Sequence, residues 1–212
     1  MSSFAASERT DLCAVAEQVG PDAPTLCGEW TVRDLVVHLL VREGSLASVG
    51  IVVRPLRGLV DRASRRTGRQ EFPDLVQRLR NGPPVWSPFA VPKLGAMLNV
   101  LEFFVHHEDI RRAQPQWQPR SLPRRTEDAI WKAAGHTGRG LVAKSGAGVG
   151  VVAERSDTGD RVTLWPSSSS VTVRGLPSEV TLYLFGRKAQ AEVELDGAPE
   201  DVARLSGAGL GI

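Results

Sequence analysis

The stretch TVRDLVVHLLVRE, residues 31–43, decides how the first half of the chain folds. Thr31 is a good helix N-cap, and Asp34, three residues on, makes a capping-box-like pair with it. The negative charge of Asp34 also suits the positive end of a helix. Leu35, His38, Leu39 and Arg42 share one side of the helix that follows, while Val36, Leu40 and Glu43 drift round the other. A histidine therefore sits in the middle of a well-marked helix, among apolar positions.

Working outward, residues 3–19 read as a helix, with Phe4, Leu12, Val15 and Val19 at near-helical spacing and Glu8, Asp11 and Glu17 between them. GPDAP (20–24) stops it. Downstream, the helical run continues through GSLASVGIVV. Residues 54–71 carry six arginines and leave two readings open: a solvated connection with a short helix, or an arginine-lined rim for an anionic ligand. FPDLVQRLRNG (72–82) is a short helix ended by Asn81-Gly82, and PPVWSPFAVP (83–92) is a proline-rich loop. A long helix from Pro92 or Lys93 to about Ala113 follows, and another over 123–143. Beyond Lys144 the pattern changes to short strands and helices: two strands in GVGVVAERSDTGDRVTLW, one in SVTVRG, a helix in PSEVTLYLFG, a strand in AEVELDG and a helix in APEDVARL. The expected fold class is α+β: a helical bundle over 1–143 and a small α+β domain over 144–212.

The chain has 212 residues, enough for a substantial core, and a formal net charge of +2, too small to argue for nucleic acid. No apolar run is long enough to span a bilayer and no signal peptide is evident, so no membrane partner is expected. Cys13 and Cys27 are the only cysteines and do not look like a disulfide framework, which points to a reducing, cytoplasmic location.

The chemistry concentrates in LEFFVHHEDIRR, residues 101–112. At about 100° per residue, Glu102 and His106 lie about 40° apart on the helix surface, and Asp109 returns to within about 20° of Glu102. Asn99 falls on the same side, so Asn99, Glu102, His106 and Asp109 form a polar stripe beside the apolar stripe of Leu98, Leu101 and Val105. His107 points about 100° away and reads as a bystander, a rim residue. A carboxylate and an imidazole at i and i+4 suit a metal ion, but a surface ion pair has the same spacing. His38 is the candidate third ligand from a second helix of a bundle. A His2Glu set leaves a coordination position open, the pattern of a catalytic zinc.

Around these, Asp109 could accept the second N–H of a ligating imidazole or pair with Arg33 or Arg112. Asn99 could meet a metal-bound water, and Arg42 an anionic group. Cys27 lies just before the second helix with no base evident nearby in the sequence, and reads as a packed thiol. SGAGVGVV (145–152) has the reverse order of a dinucleotide fingerprint and reads as a hinge.

LCGEWTVRDLVVHLLVRE (26–43) strongly resembles the first signature of the DinB-like, mycothiol-dependent maleylpyruvate isomerase superfamily. EFFVHHEDIRRA (102–113) is similar to its second, Glu-x-x-x-His-x-x-Asp, and GLPSEVTLYLFGR with AEVELDG looks like its small C-terminal domain. The resemblance implies a four-helix bundle holding a divalent metal, usually zinc, on His38, Glu102 and His106. It implies an enzyme that uses a low-molecular-weight thiol such as mycothiol for transfer to, or isomerisation of, a small electrophile. A non-catalytic metal-dependent binding or sensing module and a metal-dependent hydrolase are the other readings. The oligomeric state, monomer or homodimer, is left open.

Overall fold

A computed structural model describes residues 4–44, 57–84, 87 and 92–211, with side chains omitted for helix residues 57–61 and 92–99. The side chain of Asn99, residues 45–56 with Arg54, and the side chain of Arg57 therefore lie outside the described part. The chain divides into two compact units, Met1–Pro119 and Arg120–Ile212.

The first unit is helical. It contains α1 (Phe4–Val19), α2 (Val32–Gly44), α3 (Arg57–Thr67), α4 (Phe72–Asn81) and α5 (Pro92–Arg111). α2 begins where the capping residues direct. Thr31 N and Oγ1 both donate to Asp34 Oδ2, at 3.0 and 2.8 Å, and Asp34 N donates back to Thr31 Oγ1 at 3.3 Å. α4 ends at Gly82, whose φ of 86° is the left-handed conformation glycine tolerates best. α1 packs along α5 and against α4, and α2 packs against α3 and α4. The core between them is built from Leu12, Ala16, Leu35, Leu39, Leu75, Leu79, Phe103 and Ile110. Two charged side chains also pair across it: the half-buried Arg9 of α1 makes paired hydrogen bonds to the buried Glu43 of α2, at 2.5 and 2.6 Å. A bidentate geometry of this kind compensates the desolvation of both groups.

The second unit joins α6 (Arg124–Lys144) to β1 (Gly150–Arg155), β2 (Arg161–Trp165), β3 (Ser170–Gly175), α7 (Pro177–Leu184), β4 (Glu194–Asp196) and α8 (Pro199–Gly207). The sheet order is β2-β1-β3-β4. β1 and β2 form an antiparallel hairpin, β1 and β3 pair in parallel with Val151 opposite Val171, and β4 closes the edge antiparallel to β3. Of the expected strand over 191–197, only Glu194–Asp196 pairs.

The boundary differs from the one near residue 144 drawn from the sequence: α6 goes with the sheet, not with the bundle. Its buried face, Ile130, Ala134, Gly138 and Leu141, packs on α7 and β2. Polar contacts hold it there. Glu127 accepts hydrogen bonds from Ser178 N and Oγ, at 2.8 and 2.9 Å, and Arg155 reaches Asp128 at 2.6 Å. The apolar period of α6 marked which face is buried but not against what. The α+β class stands, with the helical part now ending at Pro119.

Leu35 is fully buried in the helical core. Leu35→Ala should therefore lower the stability of that unit by about 2–5 kcal/mol, read from the midpoint shift in urea unfolding.

Candidate functional site

α2 and α5 bring their polar residues together at Glu102. Its Oε1 lies 3.3 Å from His38 Nε2 and 3.5 Å from His106 Nε2. Arg42 Nε, one turn beyond His38, lies 3.2 Å from the same oxygen. The His38 and His106 rings stand edge to face with centroids 5.4 Å apart. Each of His38, Glu102 and His106 offers one donor atom, and the three donors lie within 4.8 Å of one another. Two imidazole nitrogens and a carboxylate oxygen are suitable donors for zinc, so the residues fit a divalent metal.

The other nitrogen of His106 is engaged as well. Nδ1 lies 2.9 Å from Asp109 Oδ2, and Asp109 is completely buried. With Asp109 accepting the Nδ1–H, loss of the Nε2 proton would leave the Nε2 lone pair facing Glu102 and His38, the tautomer a metal ligand needs. Asp109 thus has the first of the two roles open to it in the sequence, facing a ligand-candidate imidazole. Arg33 donates to the Gln70 carbonyl at 3.0 Å, and Arg112 Nε pairs with Glu108 at 2.5 Å.

These contacts set the charge states. Burial by itself disfavours the Glu102 carboxylate, but hydrogen bonds from His106 and His38, with the charges of His106 and Arg42, hold it well below the usual carboxylate range. Burial likewise disfavours protonated His106. Hydrogen bonding to Asp109, Cys27 and Glu102 wins, and His106 keeps its proton well above the ordinary histidine value of 6.5.

His106 and His107 part as the helix geometry requires, but His107 is not at the rim. It is 3% exposed, with Nδ1 2.9 Å from Glu8 Oε2 of α1. Glu8, one of the acids between apolar positions of α1, is itself buried. Cys27 is a neighbour of the site that the sequence reading missed. Its Sγ donates to Asp109 Oδ2 at 3.0 Å and lies 3.7 Å from His106 Nδ1. The base absent from its sequence neighbourhood arrives from α5, because Leu26 N donates to the Asp109 carbonyl at 3.1 Å and pins the loop there. Cys13 is different: burial pushes its thiol up to about 11, and it packs in the core.

Beside His38 opens a cavity of about 690 Å³, lined by Trp30, Val37 and Val41 on one side and by Arg65 and Arg69 on the other. The Trp30 ring centroid lies 5.2 Å from that of His38. Part of the arginine-rich segment thus faces the candidate ligand; α3 itself is the short helix expected within it.

Residues 5–81 match the family model described as the mycothiol maleylpyruvate isomerase N-terminal domain. That match, over part of the helical unit, supports the likeness to the DinB-like, mycothiol-dependent maleylpyruvate isomerase superfamily. The match includes Trp30, the Thr31–Asp34 cap and His38, and ends before the helix that carries Glu102 and His106. No curated protein and no solved structure matches the chain. Among the described residues, no helix is long and apolar enough to cross a membrane.

A cation taking the three donors must displace the proton that His106 holds. Since that proton persists well above pH 6.5, zinc affinity should weaken as the pH falls, by about tenfold per unit below the His106 value. Zinc titrations by competition with a chromophoric chelator across pH 6 to 8 check this; a flat profile would contradict the linkage.

Proposed function

We propose that this protein is a zinc-dependent enzyme that uses a low-molecular-weight thiol, such as mycothiol, for transfer to or isomerisation of a small electrophile. One observation carries the reading: the charge of the donor set formed by His38, Glu102 and His106 with Arg42 beside it. Two neutral imidazoles and one carboxylate offset only one charge of a dication, and the Arg42 guanidinium adds another positive charge. Three protein donors also leave a coordination position for an outside ligand. The site therefore favours an anionic ligand, and a thiolate more than a neutral thiol. When bound, zinc supplies the Lewis acidity that holds such a thiol deprotonated near neutral pH.

The residues of the chain do the rest. Arg42 and the two imidazoles hold the Glu102 carboxylate ionised and directed at one point. Asp109 fixes the His106 tautomer through Nδ1. Cys27 faces Nδ1, whereas Glu102 faces Nε2. The protein's own thiol is thus on the wrong side of the ring to serve as the nucleophile, which favours a thiol from solution. The cavity beside His38 supplies an apolar wall at Trp30, Val37 and Val41 and two guanidinium groups, Arg65 and Arg69. That combination suits a small electrophile with an anionic group.

Zinc-loaded protein mixed with mycothiol and a chlorodinitrobenzene should give turnover that requires both the thiol and the metal. Glu102→Ala should lower it to background, and Arg65→Ala should raise KM for an anionic electrophile with little change in kcat. Stoichiometric loss of the thiol marks transfer, and its recovery marks isomerisation. Thiol-independent ester or amide cleavage would point to a hydrolase, and ligand binding without turnover to a sensing module; either result would overturn the proposal.

A further inference from the structure

His106 presents two nitrogens to two different sets of donors. Nε2 faces Glu102 and, through it, His38. Nδ1 faces Asp109 Oδ2 at 2.9 Å and Cys27 Sγ at 3.7 Å, and these two atoms lie 3.0 Å apart. Cys27, His106 and Asp109 form a second group of donors lying within 4.8 Å of one another.

Sulfur, imidazole nitrogen and carboxylate oxygen bind zinc-like ions at about 2.0–2.3 Å, which puts neighbouring ligand atoms about 3–4 Å apart. The observed separations approach that spacing with shifts of a few tenths of an ångström. The backbone presents the sulfur in a fixed place: Leu26 N donates to the Asp109 carbonyl at 3.1 Å and Cys27 N to Thr25 Oγ1 at 3.2 Å. Cys27 is partly exposed while Asp109 is completely buried, so an ion would enter from the thiol side.

The two sets differ in chemistry. The first, with one carboxylate, leaves a dication partly uncompensated. The second, with a thiolate and a carboxylate, neutralises it. Only the second contains sulfur, and thiolate ligands select soft, thiophilic metals over hard ones. Because both sets draw on the same imidazole, one ion at Nδ1 takes His106 away from the other.

We propose that Cys27, His106 Nδ1 and Asp109 form a second metal position, selective for thiophilic cations such as cadmium, whose occupation excludes zinc from His38, Glu102 and His106. Binding is ligand exchange without redox change: the cation gains Sγ, Nδ1 and Oδ2, and the thiol and Nδ1 protons leave to water. The inference goes beyond the enzymatic reading, and its test does not depend on turnover.

The experiment is a cadmium(II) titration of the whole protein, followed by thiolate-to-cadmium absorption in the ultraviolet. Wild type and Glu102→Gln should both develop the band at one equivalent, although Glu102→Gln disables the first set. Cys27→Ser should lose the band and bind cadmium at least about tenfold more weakly, while Cys13→Ser keeps it. Circular dichroism and thermal melting of each variant show whether it is folded. Added to zinc-loaded wild type, one equivalent of cadmium should release zinc to a chromophoric chelator. A wild type with no thiolate band, a band that survives in folded Cys27→Ser, or zinc that stays bound through the titration would overturn the proposal.

Discussion

One carboxylate oxygen, Glu102 Oε1, has His38 Nε2, Arg42 Nε and His106 Nε2 around it, all between 3.2 and 3.5 Å. Three nitrogens from two helices converging on one oxygen tie α2 to α5 at this point, because a slip of either helix would leave the half-buried carboxylate without compensation. Such a cluster is an expensive way to hold two helices together: desolvating an ionised group costs several kcal/mol, and an apolar contact of the same volume often serves stability as well or better. The neighbouring turns show that this chain can build the apolar alternative, with Leu35, Leu39 and Phe103 packed in the core. The charge is better understood as a requirement of the site than of the fold.

His106 is the second constraint. Its ring is gripped at Nδ1 by Asp109 and faces Glu102 at Nε2, so its orientation is fixed before any ligand arrives. Asp109 in turn ties the site to the loop before α2: its backbone carbonyl accepts from Leu26, and its carboxylate accepts from Cys27. The same loop carries Trp30, which faces His38 and the cavity beside it. One aspartate therefore links the His106 ring, the thiol and a wall of the cavity.

Much of this was legible in the sequence because helix periodicity is local. Thr31 and Asp34 marked the start of α2, which placed His38 on its face. The i, i+4 spacing of Glu102 and His106 survived folding, and so did the divergence of His106 and His107. What periodicity cannot supply is the identity of the opposing element. His107 reads as exposed until Glu8 of α1 is seen to bury against it. Cys27 reads as an isolated thiol until the Leu26–Asp109 hydrogen bond brings it to α5. The 124–144 helix has the same amphipathic pattern whether it joins a bundle or covers a sheet, and its packing on α7 and β2, with Glu127 to Ser178 and Arg155 to Asp128, decides for the sheet. The family match reaches His38 but stops at residue 81. The case for Glu102 and His106 therefore rests on the motif they form and on their geometry.

The central claim, that His38, Glu102 and His106 hold a divalent metal, is tested most directly by elemental analysis of zinc-reconstituted, desalted protein. The account predicts close to one zinc per chain in wild type and in His107→Gln, and almost none in His106→Ala, with all three proteins shown to be folded. Zinc that is absent from the wild type, or that follows His107 rather than His106, would contradict it.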